Sequence, residues 1–128
     1  MNNIVEKNEL KFRYAVESDT HLILNFIKEL ASYENLLDEV VATEEILNEW
    51  LFVKKKAEVL IGEYDNKTIG FALFFHNFST FIGRAGIYLE DLYVKPEFRG
   101  KGYGKAFLKK LASIAIERGC DRLEWLAK

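Results

Sequence analysis

The chain has 128 residues, 49% of them apolar and 30% charged, and a formal net charge of −2. That size and balance describe one folded domain over residues 1–128 and exclude a disordered chain. A sequence pI near 5.8 argues against a nucleic-acid partner; a single cysteine, Cys120, excludes an internal disulfide and a multi-cysteine zinc site; no apolar run approaches a membrane span.

The N-terminal Met1-Asn2-Asn3-Ile4-Val5-Glu6-Lys7 lacks the basic-then-apolar order of a signal peptide, so a cytoplasmic location is expected. Leu10, Phe12 and Tyr14 alternate with Lys11 and Arg13 and predict a half-buried strand. Ser18 and Asp19 offer N-cap oxygens to an amphipathic helix carrying Leu22, Ile23, Phe26, Ile27 and Leu30 and ending near Tyr33. An acidic loop, Glu34 to Val41, follows. Thr43 then caps a second helix with Ile46, Leu47, Trp50 and Leu51 on one face. Val59 to Tyr64 and Thr68 to Phe75 flank the turn signal Asp65-Asn66-Lys67 and predict a hairpin. Gly86 to Val94 is a third strand, closed by Pro96. After Gly100 to Gly104 comes a long helix bearing Phe107, Leu108, Leu111, Ala112, Ile114 and Ala115, ended by Arg118 and Gly119, and then a strand over Arg122 to Ala127. Strand, glycine turn, helix and strand make a βαβ unit with two parallel strands. The fold class is α/β with a mixed, mostly antiparallel sheet built around this unit.

The sharpest motif is Arg99-Gly100-Lys101-Gly102-Tyr103-Gly104. Glycines between a strand and a helix let backbone N–H groups approach an anion, and the helix N-terminus adds positive dipole. Arg99 and Lys101 add charge. The arrangement suits a pyrophosphate, yet neither the dinucleotide fingerprint nor the P-loop triplet is present.

Arg99-x-x-Gly102-x-Gly104 resembles the acetyl-CoA loop of the GNAT N-acetyltransferase superfamily. Tyr88-Leu89-Glu90-Asp91-Leu92-Tyr93-Val94 and Lys28-Glu29-Leu30-Ala31-Ser32-Tyr33-Glu34 are similar to a narrower branch, the diamine (spermidine/spermine) and thialysine N-acetyltransferases. The similarity runs from about Phe12 to Trp125. It implies a GNAT-like fold, acetyl-CoA as cosubstrate with no metal, a small-molecule amine as substrate, and a homodimer. By position it implies that Leu92, Tyr93 and Val94 offer backbone groups to the pantetheine arm. Arg99, Gly100, Lys101, Gly102, Tyr103, Gly104 and Lys105 would hold the pyrophosphate. Tyr33, Glu34 and Glu90 would face the amine, and Glu124, Trp125 and Leu126 would line the same site. It also implies a further segment beyond Lys128, with a tyrosine placed to protonate the leaving thiolate. The domain is therefore expected to be C-terminally incomplete, with its last strand either open at the edge or completed by another chain.

The acidic residues have their own logic. Glu90 and Asp91 interrupt an apolar strand, where an unpaired carboxylate is costly. Glu90 is read as the base, direct or through water, that frees an amine from its ammonium form. The alternative is a salt bridge to Arg84 or Arg122. Asp91 counts among the substrate residues with its role open, because neighbouring strand residues point to opposite faces. Glu34 is read as meeting a cation, whereas Glu44, Glu45 and Glu49 read as a solvated helix start. His21 and His76 lack companions at metal-ligand spacing, and Cys120 reads as structural. Phe71, Phe74, Phe75, Phe78 and Phe81 are expected in core and dimer surface, with Phe81 near the substrate's alkyl chain. Trp125 is expected in the core with one edge in the cleft. The competing functions are a non-catalytic CoA-binding or oligomerising module and a protein lysine or N-terminal acetyltransferase.

Overall fold

The computed structural model describes residues 9–126. Five strands form one mixed sheet in sequence order: β1 (Leu10–Tyr14), β2 (Glu58–Tyr64), β3 (Lys67–Ser79), β4 (Arg84–Val94) and β5 (Leu123–Trp125). The first three junctions are antiparallel, and β4 and β5 are parallel. The connection between β4 and β5 is the helix α3 (Tyr103–Glu117), so the βαβ unit forms one side of the described sheet and not its centre. Two further helices, α1 (Thr20–Tyr33) and the short α2 (Glu44–Asn48), join β1 to β2.

Each sheet face buries its own cluster. Leu60, Ile69, Phe74, Ile87 and Leu89 pack against Phe107, Leu111 and Ile114 of α3. On the other face Ile61, Phe71 and Tyr93 pack against Ile23 and Phe26 of α1, with Phe26 stacked on Phe71 at 5.3 Å between ring centroids. A Phe26 or Phe107 truncation would remove about 3–5 kcal/mol.

Local chemistry explains the joints. Asp65 and Asn66 both take positive φ (52° and 63°), the backbone of a two-residue hairpin turn. Gly119 (φ 72°) ends α3: Gly119 N–H bonds Ile116 O at 3.1 Å and Cys120 N–H bonds Ala115 O at 2.9 Å, the paired bonds of a Schellman cap. Thr43 Oγ1 accepts Ile46 N–H at 3.2 Å, as its sequence position predicts.

Three expectations change. Asp19 precedes α1 but does not cap it; its carboxylate takes a bidentate pair with Arg13 (2.8 and 3.0 Å) and the Val16 N–H (2.8 Å). The second helix gives way to a π turn over Glu49–Val53, closed by Lys54 N–H to Glu49 O at 2.8 Å. Ile46 and Trp50 are exposed, while Leu51 is buried. The last strand covers three residues and not Arg122 to Ala127, and Ala127 lies outside the described residues. Its pairing with β4 stops at Leu89, where β4 changes course.

Candidate active site

That change of course is a bulge. Leu73 of β3 pairs with Asp91, but Phe74 pairs with Leu89, so Glu90 is an extra residue on β4. A bulge bends its strand and reverses the alternation beyond it. Ile87 and Leu89 pack toward α3; after Glu90, Leu92 and Val94 take that face and Tyr93 turns to α1. β5 follows β4 only as far as the Leu89–Trp125 pair.

A pocket of about 220 Å³ opens at this divergence, lined by Leu30, Glu34, Leu89, Glu90, Asp91, Leu92, Leu108, Trp125 and Leu126. Glu90 and Asp91 therefore border one cavity, and the expectation of opposite faces is corrected: strict alternation does not survive a bulge. Among the described lining residues the charged side chains are Glu34, Glu90 and Asp91, and the rest are apolar. Low-dielectric walls strengthen the attraction of such carboxylates for a cation.

The glycine loop stands at the end of the sheet where β4 finishes. Gly100 (φ 77°) and Gly102 (φ 80°) are left-handed, a conformation costly for other residues. Gly102 is the N-cap of α3 and brings no side chain to cap it, so the helix's first N–H groups are open to a ligand. A Cβ at Gly100, Gly102 or Gly104 would meet nothing within 4 Å, and Lys101 and Lys105 are exposed. An anion the size of a diphosphate can thus approach this backbone without meeting a side chain. These residues fit the diphosphate of a CoA thioester. Tyr103 is half-buried, its ring 5.9 Å from that of Tyr64.

Other expected residues fall elsewhere. Arg99 is folded back from the loop: its Nε donates to Val94 O at 2.8 Å and its guanidinium lies 4.3 Å above the Tyr33 ring. Tyr33 is thus outside the pocket lining. Glu124 is outside it too, because it accepts from Arg122 Nε (2.7 Å) and Asn77 Nδ2 (2.8 Å), and these bonds hold its carboxyl below the usual range. Arg122 pairs with Glu124 and Asp121, and the alternative salt bridge from it to Glu90 is not formed among the described residues. Trp125 lines the pocket but is 49% exposed, and Leu126 is exposed beside it, since the short β5 leaves both uncovered. Phe81 is 101% exposed in the β3–β4 turn and is not among the residues that line this pocket; Phe78 is also exposed, while Phe71 and Phe74 are core. His21 meets Glu44 at 2.7 Å, and His76 sits between Gly86 O and Arg118, so both serve local packing.

Sequence reading missed Leu30, Leu89 and Leu108 as walls, and Glu29 as a partner. Tyr93 is 5% exposed and donates its OH to Glu29 Oε1 at 3.0 Å; burial first, then Glu29, pushes it up to about 12. It remains a neutral donor at any working pH. One readable signal for the bulge exists: the pairs Ile87/Leu89 and Leu92/Val94 are out of step by one residue.

Comparison with known proteins follows the same lines. The family model described as Acetyltransferase (GNAT) family matches residues 23–128. The thialysine N-epsilon-acetyltransferase of Bos taurus is 41% identical over 120 residues, covering 87% of this chain and 70% of the relative. A ribosomal-protein-alanine N-acetyltransferase from Brucella melitensis biovar Abortus 2308 superposes with a TM-score of 0.76 at 23% identity, over 94% of this chain and 81% of the other. An aminoglycoside acetyltransferase from an uncultured soil metagenomic sample, solved with sisomicin, gives 0.80 at 18% identity, over 93% and 78%.

Proposed function

This chain belongs to the GNAT acetyltransferase family and is an N-acetyltransferase, and from that premise we propose that it transfers acetyl from acetyl-CoA to a primary amine of a small cationic molecule. Diamines, polyamines and thialysine-like compounds are the expected class. One observation carries the reading: Glu34, Glu90 and Asp91 stand around an otherwise apolar pocket at the mouth of the β4–β5 divergence. Carboxylates suit an ammonium, and the leucine and tryptophan walls suit its alkyl chain. The name of the bovine relative supports the same class.

Acetyl-CoA, when bound, supplies the activated thioester. The N–H groups of residues 100–105, with Lys101 and Lys105, would hold its diphosphate. Leu92, Tyr93 and Val94 would offer the backbone groups of the β4 edge that β5 leaves uncovered, pairing the pantetheine amides and polarising the thioester carbonyl. Glu90 would hold the ammonium and accept its proton, directly or through water. An alkylammonium group ordinarily loses that proton only near pH 10.4, so a base is required at neutral pH. The amine nitrogen then bonds to the acetyl carbon, the carbon–sulfur bond breaks, and the thiolate takes a proton. A homodimer in the cytoplasm belongs to the same reading.

The test is thiol release from acetyl-CoA over a panel: spermidine, a short diamine, thialysine, ornithine, a neutral alcohol and a basic peptide. Turnover with the small cationic amines and none with the alcohol is expected. Turnover with the peptide alone would move the function to protein acetylation.

A further inference from the structure

We propose that Arg99 is a positioning residue that braces the amine-side wall of the pocket against the cofactor loop, a role that rests on the acetyltransferase reading above. Arg99 stands three residues before Gly102, yet its side chain turns away from the loop. Its Nε donates to Val94 O at 2.8 Å, at the end of β4. Its guanidinium lies 4.3 Å from the Tyr33 ring centroid and 5.3 Å from that of Tyr93. Tyr93 is itself fixed, buried and bonded to Glu29 of α1 at 3.0 Å. One side chain therefore touches the end of β4 and the last turn of α1.

The consequence lies one residue on. Tyr33 is the last residue of α1, and Glu34, which follows it, lines the pocket together with Glu90 and Asp91. Tyr33 is 66% exposed, so burial does little to hold it. Beneath Arg99 its ring is stacked against a planar cation, an interaction that a guanidinium makes and an ammonium makes poorly in this double geometry. Arg99 thus sets where Glu34 stands relative to the other two carboxylates. It links the helix that bears an amine contact to the loop that leads into α3, and it acts through Tyr33 without touching substrate.

Three substitutions separate this role from that of a phosphate ligand. Arg99→Lys keeps the charge and loses the planar stack; Tyr33→Leu removes the ring; Tyr33→Phe keeps it. For each, acetyl-CoA Kd, amine KM and kcat are measured, together with amide hydrogen exchange over residues 34–40 in the unliganded protein. Arg99→Lys and Tyr33→Leu should each raise amine KM roughly fivefold to tenfold, with acetyl-CoA Kd and kcat within about twofold of the parent. Exchange over residues 34–40 should quicken in both, and Tyr33→Phe should match the parent. The double variant should be no worse than the poorer single within about twofold, because both changes remove one contact. A weakened acetyl-CoA affinity with unchanged amine KM would make Arg99 a phosphate ligand and overturn the proposal. Multiplying effects in the double variant would also overturn it. The exchange arm needs no turnover: unchanged exchange in both variants defeats the brace whatever the protein acetylates, whereas a parent that acetylates no amine defeats the functional reading alone.

Discussion

The two halves of β4 are the same strand doing different work. From Arg84 to Leu89 it is paired with β3 on one side, and from Ile87 it gains β5 on the other. From Asp91 to Val94 it keeps β3 and has no described neighbour on the β5 side. One inserted residue, Glu90, separates the halves. The first half is ladder and core. The second half presents backbone groups to the space between strands, with a carboxylate at its threshold. A site here needs no dedicated loop, since a single bulge converts sheet edge into cleft.

Deleting Glu90 should erase the contrast and have the largest effect. Without the extra residue, Asp91 would follow Leu89 in regular register with Leu73 and Phe74, so Leu92 and Val94 would keep the α3 face and Tyr93 the α1 face, and only the bend would be lost. The core is then kept and the cleft is lost, so turnover should fall by roughly 10⁴-fold, the base and the exposed β4 backbone groups going together. Chemical denaturation and thiol release check this together: a midpoint near that of the parent with turnover lost is expected, and turnover near that of the parent would mean that the bulge does not make the site.

Gly102→Glu spares the strand and attacks the loop that follows its open half. The new side chain must adopt φ near 80° and would carry negative charge to the mouth of the helix dipole. Charge-assisted contacts are worth about 1.5–3 kcal/mol each, so acetyl-CoA affinity should fall about 100-fold or more in a variant whose circular dichroism is unchanged. Retained affinity would separate the loop from the cofactor.

Glu90→Gln keeps the bulge and removes only charge and basicity. A rate loss of roughly 10²-fold is expected, with acetyl-CoA affinity nearly constant. The deficit should shrink as pH rises, because more of the amine is then already neutral. Parallel rate profiles for the two proteins across pH would leave Glu90 as a residue of shape alone.

The smallest effect is a control away from β4. Arg13 first, with the Val16 N–H, holds the Asp19 carboxyl below its ordinary value. A carboxylate favoured by folding contributes stability above the unfolded aspartate range and loses it as pH falls through the folded value. Asp19→Asn should cost about 1–2 kcal/mol at pH 7, and the gap to the parent should narrow in acid. Thermal unfolding at both pH values measures it, and kcat should not move.

Much of the molecule was legible before any coordinates. Periodicity gave the hairpin around Asp65-Asn66, the long helix after the glycine loop and its Gly119 end, because each depends on residues a few positions apart. The loop from Gly100 to Gly104 was legible for the same reason: left-handed backbone and a bare N-cap are properties of glycine itself. Tertiary partners decided the rest. Asp19 is a good capping residue by type, but the guanidinium of Arg13 on a neighbouring strand competes for its oxygens. Glu124 belonged to the site by position and was withdrawn by Arg122 and Asn77. Arg99 looked like a charge for the loop and instead stacks on tyrosines from α1 and β4. Glu90 and Asp91 looked opposed and share a cavity, because the register of β4 is a property of the strand pair and not of either strand. Sequence determined which local conformations were available, and the pairing of distant segments decided which side chains meet.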